Sequence, residues 1–75
     1  MIKITQVGAL DDNTIDIHLS DGSAILLNLD RYLDDPRFTS LMEDDRILYP
    51  KTDEESVFWR DGPRLPLDEI LTMLR

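Results

Sequence analysis

The feature that most constrains this chain is a pair of alternating apolar runs split by a short turn signal. Ile15, Ile17 and Leu19 alternate with Thr14, Asp16, His18 and Ser20, and Ile25, Leu27 and Leu29 follow behind Asp21-Gly22. A period of two marks a strand with one buried face. Asp-Gly between two such runs marks a hairpin. Parity then chooses the turn. A two-residue turn pairs Ser20 with Ser23 and Ile17 with Leu26, which sets Ile25, Leu27 and Leu29 on the face of Asp16 and His18. A loop of Ser20, Asp21 and Gly22 instead pairs Leu19 with Ser23, Ile17 with Ile25 and Ile15 with Leu27, on one apolar face. A one-residue slip turns every side chain to the opposite face, so burial selects the longer loop. That loop is a type I turn closed at a G1 bulge, with Gly22 as its left-handed residue.

The other segments are read against this hairpin. A first strand runs from about Ile2 to Ala9; Ile2 and Ile4 share parity but Val7 does not, so Gly8 reads as a bulge or bend. Leu10-Asp11-Asp12-Asn13 leads into the second strand and completes an antiparallel meander. Asp30 reads as the cap of a short turn carrying Tyr32 and Leu33. Asp35-Pro36 resembles an N-cap followed by Pro at the first helical position. Phe38, Leu41 and Met42 then form one apolar helix face. Glu43-Asp44-Asp45 ends this central helix within about two turns, because acids oppose the negative end of the helix dipole.

Ile47-Leu48-Tyr49 and Ser56-Val57-Phe58-Trp59 have the composition of strands. Thr52-Asp53-Glu54-Glu55 joins them as an exposed loop, and Asp61-Gly62 marks a turn with Pro63 behind it. Pro66 opens the clearest helix. Leu67, Ile70, Leu71 and Leu74 fall at i, i+3, i+4 and i+7, with Asp68 and Glu69 in the first turn and Arg75 at the end. Burying those four side chains is worth about 1.5–3 kcal/mol each before ordering entropy. The expected fold is therefore α+β: a small twisted antiparallel sheet of about five strands, a C-terminal helix packed on it and a short central helix. At 75 residues this is a single domain, residues 1–75.

Composition narrows the function classes. No cysteine is present, which removes disulfides and thiolate metal sites. The alternating Met1-Ile2-Lys3-Ile4-Thr5 is unlike a secretion signal, and with no cysteine the expected location is cytoplasmic. No apolar stretch approaches the roughly 20 residues of a membrane helix. Acidic residues number 16 against 8 basic ones, a formal net charge of -8, and the basic residues are scattered along the chain. Nucleic acid, which needs clustered Lys and Arg, is disfavoured; an acidic surface serving solubility alone is the plainer account, and a basic protein partner is the alternative.

Catalytic sets are sparse. His18 is the sole histidine, the serines lack a nucleophile-elbow pattern, and Gly8, Gly22 and Gly62 are too far apart for a phosphate loop. The chain is read as not an enzyme, with no cofactor and no metal. Asp16 and His18 share a strand face and define the alternative, a small-ligand or metal-binding accessory to an enzyme; a solvated strand face is the plainer account. The acid clusters lack the spacing of a calcium loop.

Trp59 is the residue to watch. Val57 and Trp59 point to one sheet face, Phe58 and Arg60 to the other, so each face carries a large aromatic. Either both are covered, or one is core and the other anchors a partner. Aromatic residues and Arg dominate binding hot spots, so Phe58, Trp59, Arg60 and Arg64 are the candidate partner-binding residues.

The order of these signals resembles the bacterial family catalogued as domain of unknown function 2442. The resemblance covers nearly the whole length: Ile4 to Leu10, Leu19-Ser20-Asp21-Gly22-Ser23, Leu29-Asp30-Arg31-Tyr32-Leu33, Phe38-Thr39-Ser40-Leu41 and Val57-Phe58-Trp59-Arg60-Asp61-Gly62. Arg60 stands where that family usually carries Pro, and Arg64 where an acid often follows the Gly. The resemblance implies a small mixed fold, no catalytic residues and an antitoxin-like role. The functional expectation is a small acidic protein-interaction module, with a homodimer through an unpaired sheet edge as a further alternative.

Overall fold

The computed structural model describes residues 1–74. Its architecture is α+β, with two antiparallel three-stranded sheets rather than the single sheet of about five strands expected. The first sheet holds β1 (Ile4–Leu10), β2 (Thr14–Leu19) and β3 (Ala24–Asn28) in the order β1-β2-β3. The second holds β4 (Lys51–Thr52), β5 (Ser56–Phe58) and β6 (Arg64–Pro66) in the order β4-β5-β6. The C-terminal helix α1 spans Leu67–Met73.

The β2–β3 hairpin has the register that parity selects. Ile17 pairs with Ile25 and Ile15 with Leu27. The Leu19 N–H donates to the Ser23 carbonyl at 2.9 Å, the Gly22 N–H donates to the Leu19 carbonyl at 3.1 Å, and Gly22 has φ +90. The Asp21 carboxylate accepts the Ser23 N–H and hydroxyl, which holds Asp21 below the usual carboxylate range.

The bulge in β1 sits elsewhere than at Gly8. Ile4 pairs with Leu19 and Gln6 with His18, so Thr5 is the extra residue. One inserted residue brings Ile4 onto the face of Val7 and Ala9. Gly8 stays in register opposite Asp16. The strand starts at Ile4, and Ile2 is exposed.

Two 3-10 segments fill the centre, over Asp30–Tyr32 and Thr39–Leu48. Asp30 is not the cap of the first but its opening residue, behind Leu29 at the N-cap position; Asn28 Oδ1 accepts the Asp30 N–H at 2.9 Å. Asp35 and Pro36 do not open the second, which starts at Thr39 behind Phe38 with no side-chain cap; the Asp35 carboxylate instead accepts the Arg37 N–H at 2.9 Å in the preceding turn. The expected α-helical face is altered by pitch. With three residues per turn, i and i+3 align and i+4 swings away. Phe38 and Leu41 are buried accordingly, and Met42 is exposed. Chain reversal comes where the acids cluster, with Asp44 and Asp45 left-handed at φ 53 and 56. Ile47 and Leu48 belong to the 3-10 turn that follows, not to a strand. Arg64–Pro66 supplies the strand that the pattern did not reveal.

The helix stripe also differs from its expected form. Ile70 and Met73 are buried and Leu67 is half-buried, whereas Leu71 and Leu74 are 48% and 46% exposed. Pro66 occupies the N-cap position. Arg75, expected to complement the helix end, lies outside the described residues. At that end the Tyr32 hydroxyl and Arg31 Nη2 both donate to the Met73 carbonyl, at 2.9 and 3.0 Å. These bonds satisfy a terminal carbonyl with donors from the distant Asp30–Tyr32 turn.

The core joins the inner face of the first sheet (Ile4, Ile15, Ile17, Leu27) to Phe38, Leu41, Val57, Trp59, Leu65 and Ile70. β1 abuts β4, and the Ile4 N–H donates to the Glu54 carbonyl at 2.8 Å. No described helix is long and apolar enough to cross a membrane.

Candidate functional site

Register decides which side chains the second sheet presents outward. Thr52 pairs with Val57 and Val57 with Leu65, while Lys51 pairs with Phe58 and Phe58 with Arg64. Directly paired residues share a face. Val57 and Leu65 are buried, so Lys51, Phe58 and Arg64 form the outer row. Trp59 follows the inward parity of Val57. It is 2% exposed, and its indole N–H donates to the Ile47 carbonyl at 3.3 Å. Of the expected partner-binding residues, Trp59 is thus core, Phe58 is half-buried, and Arg60 and Arg64 are exposed.

Arg64 is engaged at the β4–β5 turn. Its Nε donates to Ser56 Oγ at 2.8 Å and its Nη2 to Asp53 Oδ2 at 2.7 Å. Asp53 Oδ1 also accepts the N–H groups of Glu55 and Ser56 and the Ser56 hydroxyl. These bonds, the Ser56 hydroxyl foremost, hold Asp53 below the usual carboxylate range. Ser56 is fully buried yet fully partnered. Arg64 therefore locks the turn. Asp53, Phe58, Trp59, Gly62 and Arg64 line a shallow groove there.

Arg60 lies in a different recess. Asp44, Arg46, Tyr49, Lys51 and Arg60 surround an open cleft of about 470 Å³. Three of the chain's eight basic residues meet there, so their scatter along the sequence does not persist in space. Arg46 is fixed: its Nη1 donates to the Ser40 carbonyl at 3.3 Å and the Asp61 carbonyl at 3.4 Å. The Lys51 ammonium and Arg60 guanidinium have no hydrogen bond or ion pair among the described residues. Tyr49 is 67% exposed. Tyr49, like Tyr32, reads from sequence as equally open between core and exposed anchor; Arg46 and Lys51 carry no such signal, because they lie in a 3-10 turn and a two-residue strand with no periodicity to read.

Asp16 and His18 face outward on β2, with Nε2 to Oδ2 at 2.9 Å. Their cross-strand neighbours are Gln6, Gly8, Ala24 and Leu26, none of them acidic. Among the described residues no three His, Cys, Asp or Glu side chains are grouped to hold a metal ion.

Comparison with family models, curated proteins and solved structures finds no match for this chain.

Proposed function

We propose that the protein is a non-enzymatic interaction module that receives an acidic segment of a protein partner on the outer face of its second sheet. The observation that carries this is the meeting of Lys51 and Arg60, two cations with no partner among the described residues, with the exposed Tyr49. An acidic chain does not gain solubility from segregated cations, whereas an acidic partner gains both charge complementarity and aromatic contact. Phe58 and Arg64 extend the same surface, with Arg64 already neutralised in part by Asp53. The net charge of -8 by itself points to a basic partner and repels an acidic segment at long range; salt screens that repulsion, so the local cations at this face select the segment only at contact. An antitoxin-like form of this role would work by steric occlusion of the partner.

A photo-crosslinking residue placed at position 58, with position 26 on the first sheet as reference, tests the proposal in a lysate of the native host. The expected result is an adduct from position 58 alone, mapping to an acid-rich peptide and lost in Lys51→Glu and Arg60→Glu. Equal adducts from both positions, or adducts indifferent to those charge reversals, would overturn it.

A further inference from the structure

We infer that the cleft between the Arg46 turn and β4 recognises a phosphate monoester whose carrier also bears a planar ring. This rests on the second-sheet outer face being a contact surface, and it names the chemistry of the group received there. The residues lining the cleft include three basic ones and a single acid, Asp44, so the cleft complements a dianion better than a single carboxylate. A phosphate monoester carries about -1.5 to -2 at pH 7 and offers three strong acceptor oxygens.

The donors suit that geometry. Arg46 Nη1 is bound to the Ser40 and Asp61 carbonyls, which fixes the guanidinium and leaves its Nη2 and Nε without a protein partner among the described residues. A guanidinium held in this way presents its remaining N–H groups at little entropic cost. The Arg60 guanidinium adds a planar fork with no partner among the described residues, and the Lys51 ammonium a point charge. Tyr49 stands at the same cleft and is largely exposed, a stacking surface for a planar ring on the carrier of the phosphate. The volume of about 470 Å³ falls within the ordinary range for small-ligand sites and exceeds what a bare phosphate fills. The cleft is open, so the ring can be a protein-borne phosphotyrosine or the base of a free mononucleotide.

The test is a titration of the full chain followed by backbone amide NMR, with inorganic phosphate, phenyl phosphate, benzoate, a phosphotyrosine peptide and adenosine monophosphate as probes. Phenyl phosphate is expected to shift the Tyr49, Lys51 and Arg60 amides, to leave Ile25 and Leu26 unmoved, and to bind about ten-fold tighter than benzoate or inorganic phosphate. Lys51→Gln and Arg60→Gln should each weaken it several-fold with unchanged urea midpoints. Tyr49→Ala should remove the advantage over inorganic phosphate. The phosphotyrosine and mononucleotide arms identify which carrier is preferred. Equal binding of benzoate and phenyl phosphate, or binding indifferent to all three substitutions, would overturn the inference. A charge-dependent cross-link from position 58 alongside failure of every phosphate probe would sink this inference and leave the interaction surface standing.

Discussion

Arg37 clamps Glu69 with two parallel hydrogen bonds, Nη1 to Oε2 at 2.6 Å and Nη2 to Oε1 at 3.0 Å. Its Nη2 also reaches the Arg64 carbonyl at 3.2 Å, so one side chain ties the central segment to both α1 and β6. The Arg37 hydrogen bonds hold Glu69 below the usual carboxylate range. A carboxylate with a lowered folded-state pKa contributes stability above its unfolded value, and that stability disappears as pH falls through the folded value. Because the two side chains are 45% and 34% exposed, solvent limits the contribution to less than about 1 kcal/mol. Glu69→Gln is expected to lower the urea midpoint modestly at pH 7. The gap between variant and parent should close once pH drops through the lowered Glu69 value, below its ordinary 4.5. A gap that persists unchanged through the whole acid titration of Glu69 would show that the clamp does not act through charge.

Gly22 sits at φ +90 with open space where a Cβ would be. A substitution there pays no steric clash with neighbours, so its effect isolates backbone strain. Gly22→Val should lose at least about 1–2 kcal/mol in a urea melt, since a β-branched residue resists positive φ. Gly22→Asn should lose less, because Asn tolerates the left-handed region. Equal losses for the two variants would contradict the turn geometry.

Ile70 and Leu71 are neighbours with opposite fates. Ile70 is fully buried and Leu71 is 48% exposed. Ile70→Ala should cost about 2–5 kcal/mol, and Ile70→Asp should unfold much of so small a domain. Leu71→Asp should move stability by roughly 0.5 kcal/mol or less, as a surface change. Comparable urea midpoints for Ile70→Asp and Leu71→Asp would show that α1 packs on a different face.

Gly62 lies against Trp59. A Cβ built on Gly62 would stand 3.1 Å from the Trp59 Cβ and 3.4 Å from Leu41 Cδ2. The Gly62 N–H donates to the Trp59 carbonyl at 3.0 Å, which closes the turn ahead of β6. Gly62→Ala is therefore expected to overpack this corner and cost on the order of 1–3 kcal/mol. The indole should report it through a shifted fluorescence maximum. An unaltered maximum and midpoint would mean the corner has more room than its spacing indicates.

Where local chemistry was sufficient, residue order alone was readable. The β2–β3 register followed from parity and one Gly, because every alternative exposes Ile15 and Ile17 or buries Asp16. Trp59 was placed on the face of Val57 by alternation, but alternation does not say which face is inside. The Thr5 bulge was missed because Gly8 looked the better breaker, while the fit of Ile4 against Leu19 set the actual position. Met42 and Leu71 were expected in the core because both sit at α-helical spacing. The 3-10 pitch turned Met42 outward, and the packing of α1 chose Leu67, Ile70 and Met73 over Leu71 and Leu74.

By itself the sequence determined the α+β class, the meander, the Gly22 turn and the existence of a terminal helix. Each depends on interactions within about twenty neighbouring residues. The tertiary structure decided the split into two sheets, the burial of Trp59 beneath the Ile47 carbonyl and the meeting of Arg46, Lys51 and Arg60 around Tyr49. The reversal at Asp44 and Asp45 and the short β4–β5 pairing set that meeting. Cations that look scattered along the chain become a cluster when the backbone folds back on itself, since charge acts through distance in space and not through separation in sequence.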